Sequence, residues 1–304
     1  RARQFSDNPS DIIRESIGAR EQIIATLLAH GADANLDGSQ ALRAAVYALH
    51  SGSSTAVLST LIAGRCNVDP PACALGRSFP PLHLAALMGY PNCPQVVRAL
   101  LDADADPNRR APDSSELLPG GVPLRFALLS GRRVLRLSTP PHHHSDNCVL
   151  RNRYIPATVE IVSMLLDKRA DPDGGPAGDA LAAPPLHLAL TTERGRLHEA
   201  AALLLTSRAD PEIRDSFGRT ALLAAAGSDE RLDSINLLLE ARASLNAVDP
   251  EGNSALHFAS MQRNFGIMAL LQERGCEARQ NHTGQMPIDV QGEDDDDMDF
   301  DLFG

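Results

Sequence analysis

The stretch from Asp215 to Asp249 reads D-S-F-G-R-T-A-L-L-A-A-A-G-S-D-E-R-L-D-S-I-N-L-L-L-E-A-R-A-S-L-N-A-V-D. Asp215 and Gly218 signal a turn, because a short carboxylate can bond its own backbone and Gly tolerates positive φ. Thr220 leads into a short apolar run, Ala221 to Ala226, and a polar break follows from Gly227 to Glu230. Ile235, Leu237, Leu238 and Leu239 then mark a second helix. The same order begins again at once with D-P-E-G-N-S-A-L-H-F-A-S, followed later by I-M-A-L-L-Q-E-R-G. Leu222 and Leu256 lie 34 residues apart. A fixed period in the thirties, with two short helices per unit, predicts a helical solenoid.

Related stretches occur on both sides. They are P-P-L-H-L-A-A (Pro80 to Ala86), P-P-L-H-L-A-L (Pro184 to Leu190), S-A-L-H-F-A-S (Ser254 to Ser260) and L-L-A-H-G-A-D-A-N (Leu27 to Asn35). The units resemble ankyrin repeats over roughly residues 20 to 290. The resemblance implies an all-α ankyrin-repeat solenoid of stacked helix-turn-helix units with short turns between repeats. The alanines let short helices approach, the leucines fill the space between them, and each helix pair needs its neighbours to bury its apolar side. Burial of one Leu stabilises by about 1.5–3 kcal/mol.

Composition agrees with this reading. The chain has 304 residues, is 43% hydrophobic but 4% aromatic, and has no Trp. No apolar run approaches the length of a membrane-spanning helix, and no signal peptide opens the chain. The expected location is cytoplasmic, with a nuclear one allowed, and not secreted. Five cysteines at irregular spacing, with no C-x-x-C pair, fit a reducing compartment better than a disulfide framework or a structural zinc site. The first residue is Arg1, so a longer product is expected upstream. The net charge is −11, and seven of the last twelve residues are Asp or Glu. No basic stripe calls for nucleic acid.

Taken in order, residues 1–20 are a lead-in, with a helix expected from about Asp11 to Ser16. Glu21 to His30 is the second helix of a first, incomplete unit, and 21–290 is the repeat array. Gly31 and Gly64 are placed at helix C-caps. The unit starting at Val122 is interrupted by an insertion at about 132–157, and its second helix is expected from Val159 to Leu166. Residues 291–304, Q-G-E-D-D-D-D-M-D-F-D-L-F-G, are expected to be a solvated acidic tail. The sequence departs from the ankyrin pattern where a Gly should follow the second helix, with Asp104, Arg169, Arg208, Arg242 and Arg274 in its place. A left-handed conformation there would cost a non-Gly residue about 1 kcal/mol.

No catalytic motif is present: there is no HExxH, GxSxG or phosphate-binding loop. The chain is therefore read as a non-enzyme with no cofactor. The resemblance makes His83, His187 and His257 structural bridges between the loops of neighbouring repeats. His142, His143 and His144 are weak candidates for a divalent ion. Arg132, Arg133, Arg136, Arg151 and Arg153 flank them within the insertion. Partners of ankyrin repeats dock on turn tips and on the inner face of the first helices, which points to Ser216, Phe217, Arg219, Glu251, Asn253, His282 and Gln285. In the tail, Met298, Phe300, Leu302 and Phe303 interrupt the acids as a short peptide ligand would. The tail is similar to the acidic ends of ribosomal stalk proteins and to a segment of the exchange subunits of elongation factor 1.

These features predict a non-catalytic adaptor or scaffold, a monomer or a subunit of a hetero-complex, that binds proteins and neither nucleic acid nor the membrane interior. Two other readings stay open. The repeats would be the targeting or regulatory arm of an enzyme whose catalytic domain lies upstream of Arg1, or the chain would be a structural subunit of a large complex.

Overall fold

The computed structural model describes residues 21–35, 41–46, 55–70, 79–88, 92–111, 120–129, 155–175, 183–191, 197–228 and 232–290. The tail residues Met298, Phe300, Leu302 and Phe303, the three consecutive histidines at 142–144 and most of the expected insertion lie outside them. Two compact units divide the chain, Arg1–Gly175 and Pro176–Gly304.

In the first unit the helices are α1 (21–29), α2 (41–46), α3 (Thr55–Ala63), α4 (Pro81–Met88), α5 (Cys93–Asp102), α6 (Pro123–Leu129) and α7 (Ile155–Asp167). The second unit has α8 (Pro185–Thr191), α9 (His198–Thr206), α10 (Ala221–Ala226), α11 (Leu232–Glu240), α12 (Ala255–Met261), α13 (Phe265–Glu273) and a 3-10 turn, Pro287–Val290. Each unit has two layers. In the first unit α4 stacks on α6, while α3, α5 and α7 form the other row; α4 also packs on α5, and α6 on α7. In the second unit α8, α10 and α12 form one row, closed by the 3-10 turn, and α9, α11 and α13 form the other. This is the repeated helix-pair architecture that the sequence predicts.

The two rows differ because their sequences differ. Every residue of α10 is buried, as is α4 from Pro81 to Leu87. Such helices are surrounded on all sides, so they are short, apolar and rich in Ala. The outer helices bury one stripe only: α5 buries Val96, Val97, Leu100 and Leu101 and exposes Arg98 and Asp102. Arg98 pairs with Glu160 at 3.4 Å and Lys168 with Asp102 at 2.9 Å, across the row. Both pairs are exposed and contribute about 0–1 kcal/mol each.

Each outer helix ends in the same double hydrogen bond. The Ala105 N–H reaches the Leu100 carbonyl and the Asp104 N–H that of Leu101; Ala170, Ala209 and Ala243 repeat the pattern with Leu165, Leu204 and Leu238. The turn residue is left-handed, at φ 63 for Asp104, 66 for Arg169, 70 for Arg208 and 62 for Arg242. These turns are therefore left-handed despite lacking Gly, because the buried Leu and Ala on either side fix the motif. Two positions differ from the sequence expectation by one residue. Arg274 has φ −81, and the left-handed residue is Gly275 at φ 88. After α3 it is Arg65, at φ 60, and not Gly64. Gly64 has another reason to be Gly: a Cβ there would lie 2.7 Å from Leu28 Cδ1. Replacing Arg169, Arg208 or Arg242 by Gly is expected to raise stability by about 0.5–1 kcal/mol each. Arg274→Gly, at an ordinary φ, should raise nothing. Urea denaturation of the four variants checks this, and a gain at Arg274 equal to the others would refute it.

A second ladder runs along the turns. The Asn35 carboxamide oxygen accepts from the Asn67 N–H at 2.5 Å, Asp69 from Asp106 at 2.6 Å, and Asn108 from Asp171 at 2.6 Å. Glu212 accepts from Ser244 at 2.6 Å and Asn246 from Glu277 at 3.2 Å. The Asn108–Asp171 rung spans 63 residues of sequence and matches its neighbours in length. The repeat register therefore resumes after the interruption, with α7 beginning at Ile155.

Candidate partner-binding surface

Three congruent turns project from the second unit: D-S-F-G-R (215–219), D-P-E-G-N (249–253) and N-H-T-G-Q (281–285). They are called fingers below. In each, the first residue's side chain accepts two backbone N–H groups. Asp215 takes those of Phe217 (3.0 Å) and Arg219 (2.8 Å), Asp249 those of Glu251 (3.0 Å) and Asn253 (2.7 Å), and Asn281 those of Thr283 (3.1 Å) and Gln285 (2.9 Å). The fourth residue is left-handed: Gly218 at φ 74, Gly252 at φ 81 and Gly284 at φ 79. Fixed backbone of this kind presents the intervening side chains without an ordering cost at binding.

Neighbouring fingers are joined. Arg214 Nη1 donates to the Val248 carbonyl at 2.7 Å and also to the Gly218 carbonyl. The His282 N–H donates to the Glu251 carbonyl at 3.0 Å, and Asn281 Nδ2 to Asn253 Oδ1 at 2.9 Å. Asn253 Nδ2 completes the chain to Asp249 Oδ2 at 3.0 Å.

The inner helices hold the finger bases through histidine. The His187 ring N–H donates to the Arg219 carbonyl at 2.9 Å, and that of His257 to the Gln285 carbonyl at 3.2 Å. In the first unit His83 does the same to Gly121 at 3.1 Å. All three are buried and bridge successive repeats. His257 Nδ1 also accepts from the Ser254 N–H at 3.1 Å. Pro80 and Pro184 stand where Ser254 does, three residues before the histidine, and offer neither an N–H nor a hydroxyl. His83 and His187 accordingly have no partner at Nδ1. The lesion is mirrored at Thr220, whose hydroxyl is buried without a partner because Leu223 replaces the histidine. Burial pushes the His83 pKa down to about 4, outweighing the carbonyls of Gly121 and Arg109, and it lowers that of His187 as well. Both rings are neutral at pH 7.

The residues named from sequence converge on the fingers but differ in access. Ser216, Glu251, His282 and Gln285 are exposed. Phe217 is 55% exposed, with the Arg219 guanidinium 4.8 Å from its ring centroid. Arg219 is itself held by Asp215, Nη2 at 2.8 Å and Nε at 2.9 Å from Oδ2. A cation stacked on the ring is attracted by its face, so Phe217 is pre-positioned. Asn253 is 8% exposed and turned inward, its amide engaged by Asp249 and Asn281. Sequence reading overlooked Arg214 and Pro250, both exposed on the same surface. The recurrence of Asp or Asn at 215, 249 and 281, with Gly three residues on, is the signal that locates all three fingers.

Among the described residues, no group of three or more His, Cys, Asp or Glu side chains could hold a metal ion. No helix among them is long and apolar enough to cross a membrane.

A family model of ankyrin repeats in three copies matches residues 186–282, and a model of a single ankyrin repeat matches 79–112. The chain carries ankyrin repeats. Its ankyrin array is similar to solved ankyrin domains. That of Bcl-3 has a TM-score of 0.57 at 24% identity, covering 82% of this chain and 93% of that one. That of human ASB11 has a TM-score of 0.58 at 24% identity, covering 84% and 92%. Among curated proteins, inversin of Canis lupus familiaris is 33% identical over 110 residues, which is 36% of this chain and 10% of inversin. NF-kappa-B inhibitor alpha of Sus scrofa is 35% identical over 99 residues, 31% of this chain and 30% of that protein. The chain thus spans less than a third of either curated relative. Ankyrin repeats generally serve as protein–protein interaction modules.

Proposed function

We propose that this ankyrin array is a non-catalytic adaptor that docks a protein partner on the fingers of its second unit, with Phe217 as the central anchor. The observation that carries this reading is a phenylalanine 55% exposed at a turn tip, backed by Arg219, next in sequence to exposed Ser216, with exposed Glu251 and His282 on the second and third fingers. Large aromatics on rigid backbone are the residues that dominate interface energies. Gln285 lies at the edge of this surface, and Asn253 supports it from within. The acidic tail supplies a second, peptide-like ligand through Met298, Phe300, Leu302 and Phe303, so that the chain links two proteins and raises their effective concentration. The proposed compartment is cytoplasmic.

Quantitative capture from native lysate tests both halves, comparing the whole chain with Phe217→Ser and with a Phe300→Ser, Phe303→Ser double variant. Phe217→Ser is expected to weaken one set of partners at least tenfold, with thermal stability unchanged within about 0.5 kcal/mol, as befits an exposed position. The tail variant is expected to lose a different set. If Phe217→Ser retains every partner at wild-type level, the finger surface is not the docking site.

A further inference from the structure

The first finger begins beside a guanidinium that no acid neutralises. Arg214 Nη1 lies between the carbonyls of Gly218 and Val248, which fixes the group where the first finger meets the second. Among the described residues its Nε and Nη2 take no hydrogen bond, and no carboxylate pairs with it. Arg219 shows what that edge of a guanidinium accepts: its Nε and Nη2 both take Asp215 Oδ2, at 2.9 and 2.8 Å. Asp215 is thereby engaged, since its Oδ1 already accepts the N–H groups of Phe217 and Arg219. Arg98, Lys168 and Arg279 each have an acid as well, Glu160, Asp102 and Glu277. Apolar surface adjoins the free edge. Phe217 precedes Gly218 and is 55% exposed, and Val248 is 39% exposed. The exposed Pro250 ring lies against Gly218, where a Cβ would come within 2.6 Å of its Cγ. Gly218 thus joins the parts: its carbonyl takes Arg214, its Cα faces Pro250, and its chain neighbour is Phe217.

We propose that the partner segment docked here carries one Asp or Glu next to a large apolar residue. The carboxylate takes the free edge of Arg214, and the apolar side chain lies on Phe217 and Pro250. This rests on the finger surface being the docking site. Two parallel N–H bonds set the plane of a carboxylate as well as its place. A guanidinium already held by two carbonyls has little freedom left to lose when it binds. The apolar side chain beside the pair excludes water, which strengthens an attraction that is weak when fully solvated. Glu251, exposed at the tip of the second finger with no partner for its side chain among the described residues, opposes a run of acids or a phosphate dianion at this surface. The net charge of the chain is −11, so recognition of the acid is local and owes nothing to long-range attraction.

Selection from a random-peptide library displayed on phage, with the whole chain as bait, supplies the probe. The selected peptides are expected to place Asp or Glu beside a large apolar residue. One of them and its counterpart with the acid replaced by the amide are then titrated against wild type and Arg214→Gln. Loss of the acid should weaken binding to wild type about fivefold and leave binding to Arg214→Gln unchanged. A finger merely loosened by the substitution would weaken both peptides alike, so the cycle separates recognition of the acid from the bonds Arg214 makes within the fold. The proposal is overturned if the acid matters equally to wild type and variant, or if the selected peptides bind Phe217 without carrying one. Peptides that bind Phe217→Ser as well as wild type would place the docking site off the fingers and remove the reading beneath this one. If peptides reach the fingers only in the Phe300→Ser, Phe303→Ser variant, the chain's own tail is the occupant and the proposal fails.

Discussion

Gly252→Ala should lower stability by about 2–4 kcal/mol, while Gly284→Ala, at nearly the same backbone angle, should lower it by about 1. Both glycines are left-handed, at φ 81 and φ 79, so both variants meet the same conformational penalty. Their surroundings differ. A Cβ on Gly252 would lie 2.8 Å from His282 Cδ2 and 3.0 Å from the His282 backbone N, whereas one on Gly284 meets nothing within 4 Å. The His282 side chain could swing aside, but its backbone N is fixed by the bond to the Glu251 carbonyl. Relief of the clash therefore breaks the link between the second and third fingers. Gly218→Ala should fall between the two, because a Cβ there meets the Pro250 ring, at 2.6 Å from Cγ, and not a fixed backbone atom. Urea denaturation followed by far-UV circular dichroism gives the three differences. Equal losses at 252 and 284 would mean that the fingers are not packed against each other as described. Partner affinity should track the same order, since the anchor at Phe217 is only as fixed as the fingers that carry it.

Acidification should remove about 3 kcal/mol of stability through His83 alone. In the unfolded chain this imidazole titrates at its ordinary 6.5; in the fold, burial holds it down to about 4. The folded state thus refuses a proton that the unfolded state accepts. His83's contribution is fully present above about pH 6.5, declines as pH falls and levels off below about 4. Its Nδ1 has no partner, and its Nε2 proton is directed at the Gly121 carbonyl. The ring packs edge-on against Phe126, with centroids 5.1 Å apart. Arg109 opposes protonation and Asp106 favours it, both more weakly than burial acts. Comparison of wild type with His83→Leu at pH 7 and pH 4 isolates the effect, since the carboxylates are common to both. The wild type should lose about 3 kcal/mol more than the variant over that interval. Parallel losses would show that the ring has access to water or to a partner in the fold.

The sequence alone determined the repeat and its chemistry. Paired short helices, the L-H-x-A motif and the turn glycines are encoded within one repeat, and a periodic pattern of that kind dictates local structure wherever it recurs. The bridging role of His83, His187 and His257 was legible for the same reason. What the tertiary structure decided depends on the neighbouring repeat. Asn253 looks like a tip residue by position, but Asn281, 28 residues further on, draws its amide inward. Phe217 could have packed away or faced solvent, and the stacked Arg219, fixed by Asp215, holds it at the surface. The turn after α13 slipped by one residue relative to the sequence reading because the left-handed position follows the buried Leu271, not the alignment of Arg and Gly. Ile23 and Leu27 look like core residues in sequence and are exposed, since exposure is fixed by what packs on them, and an apolar pattern in one helix carries no record of whether its cover is in place.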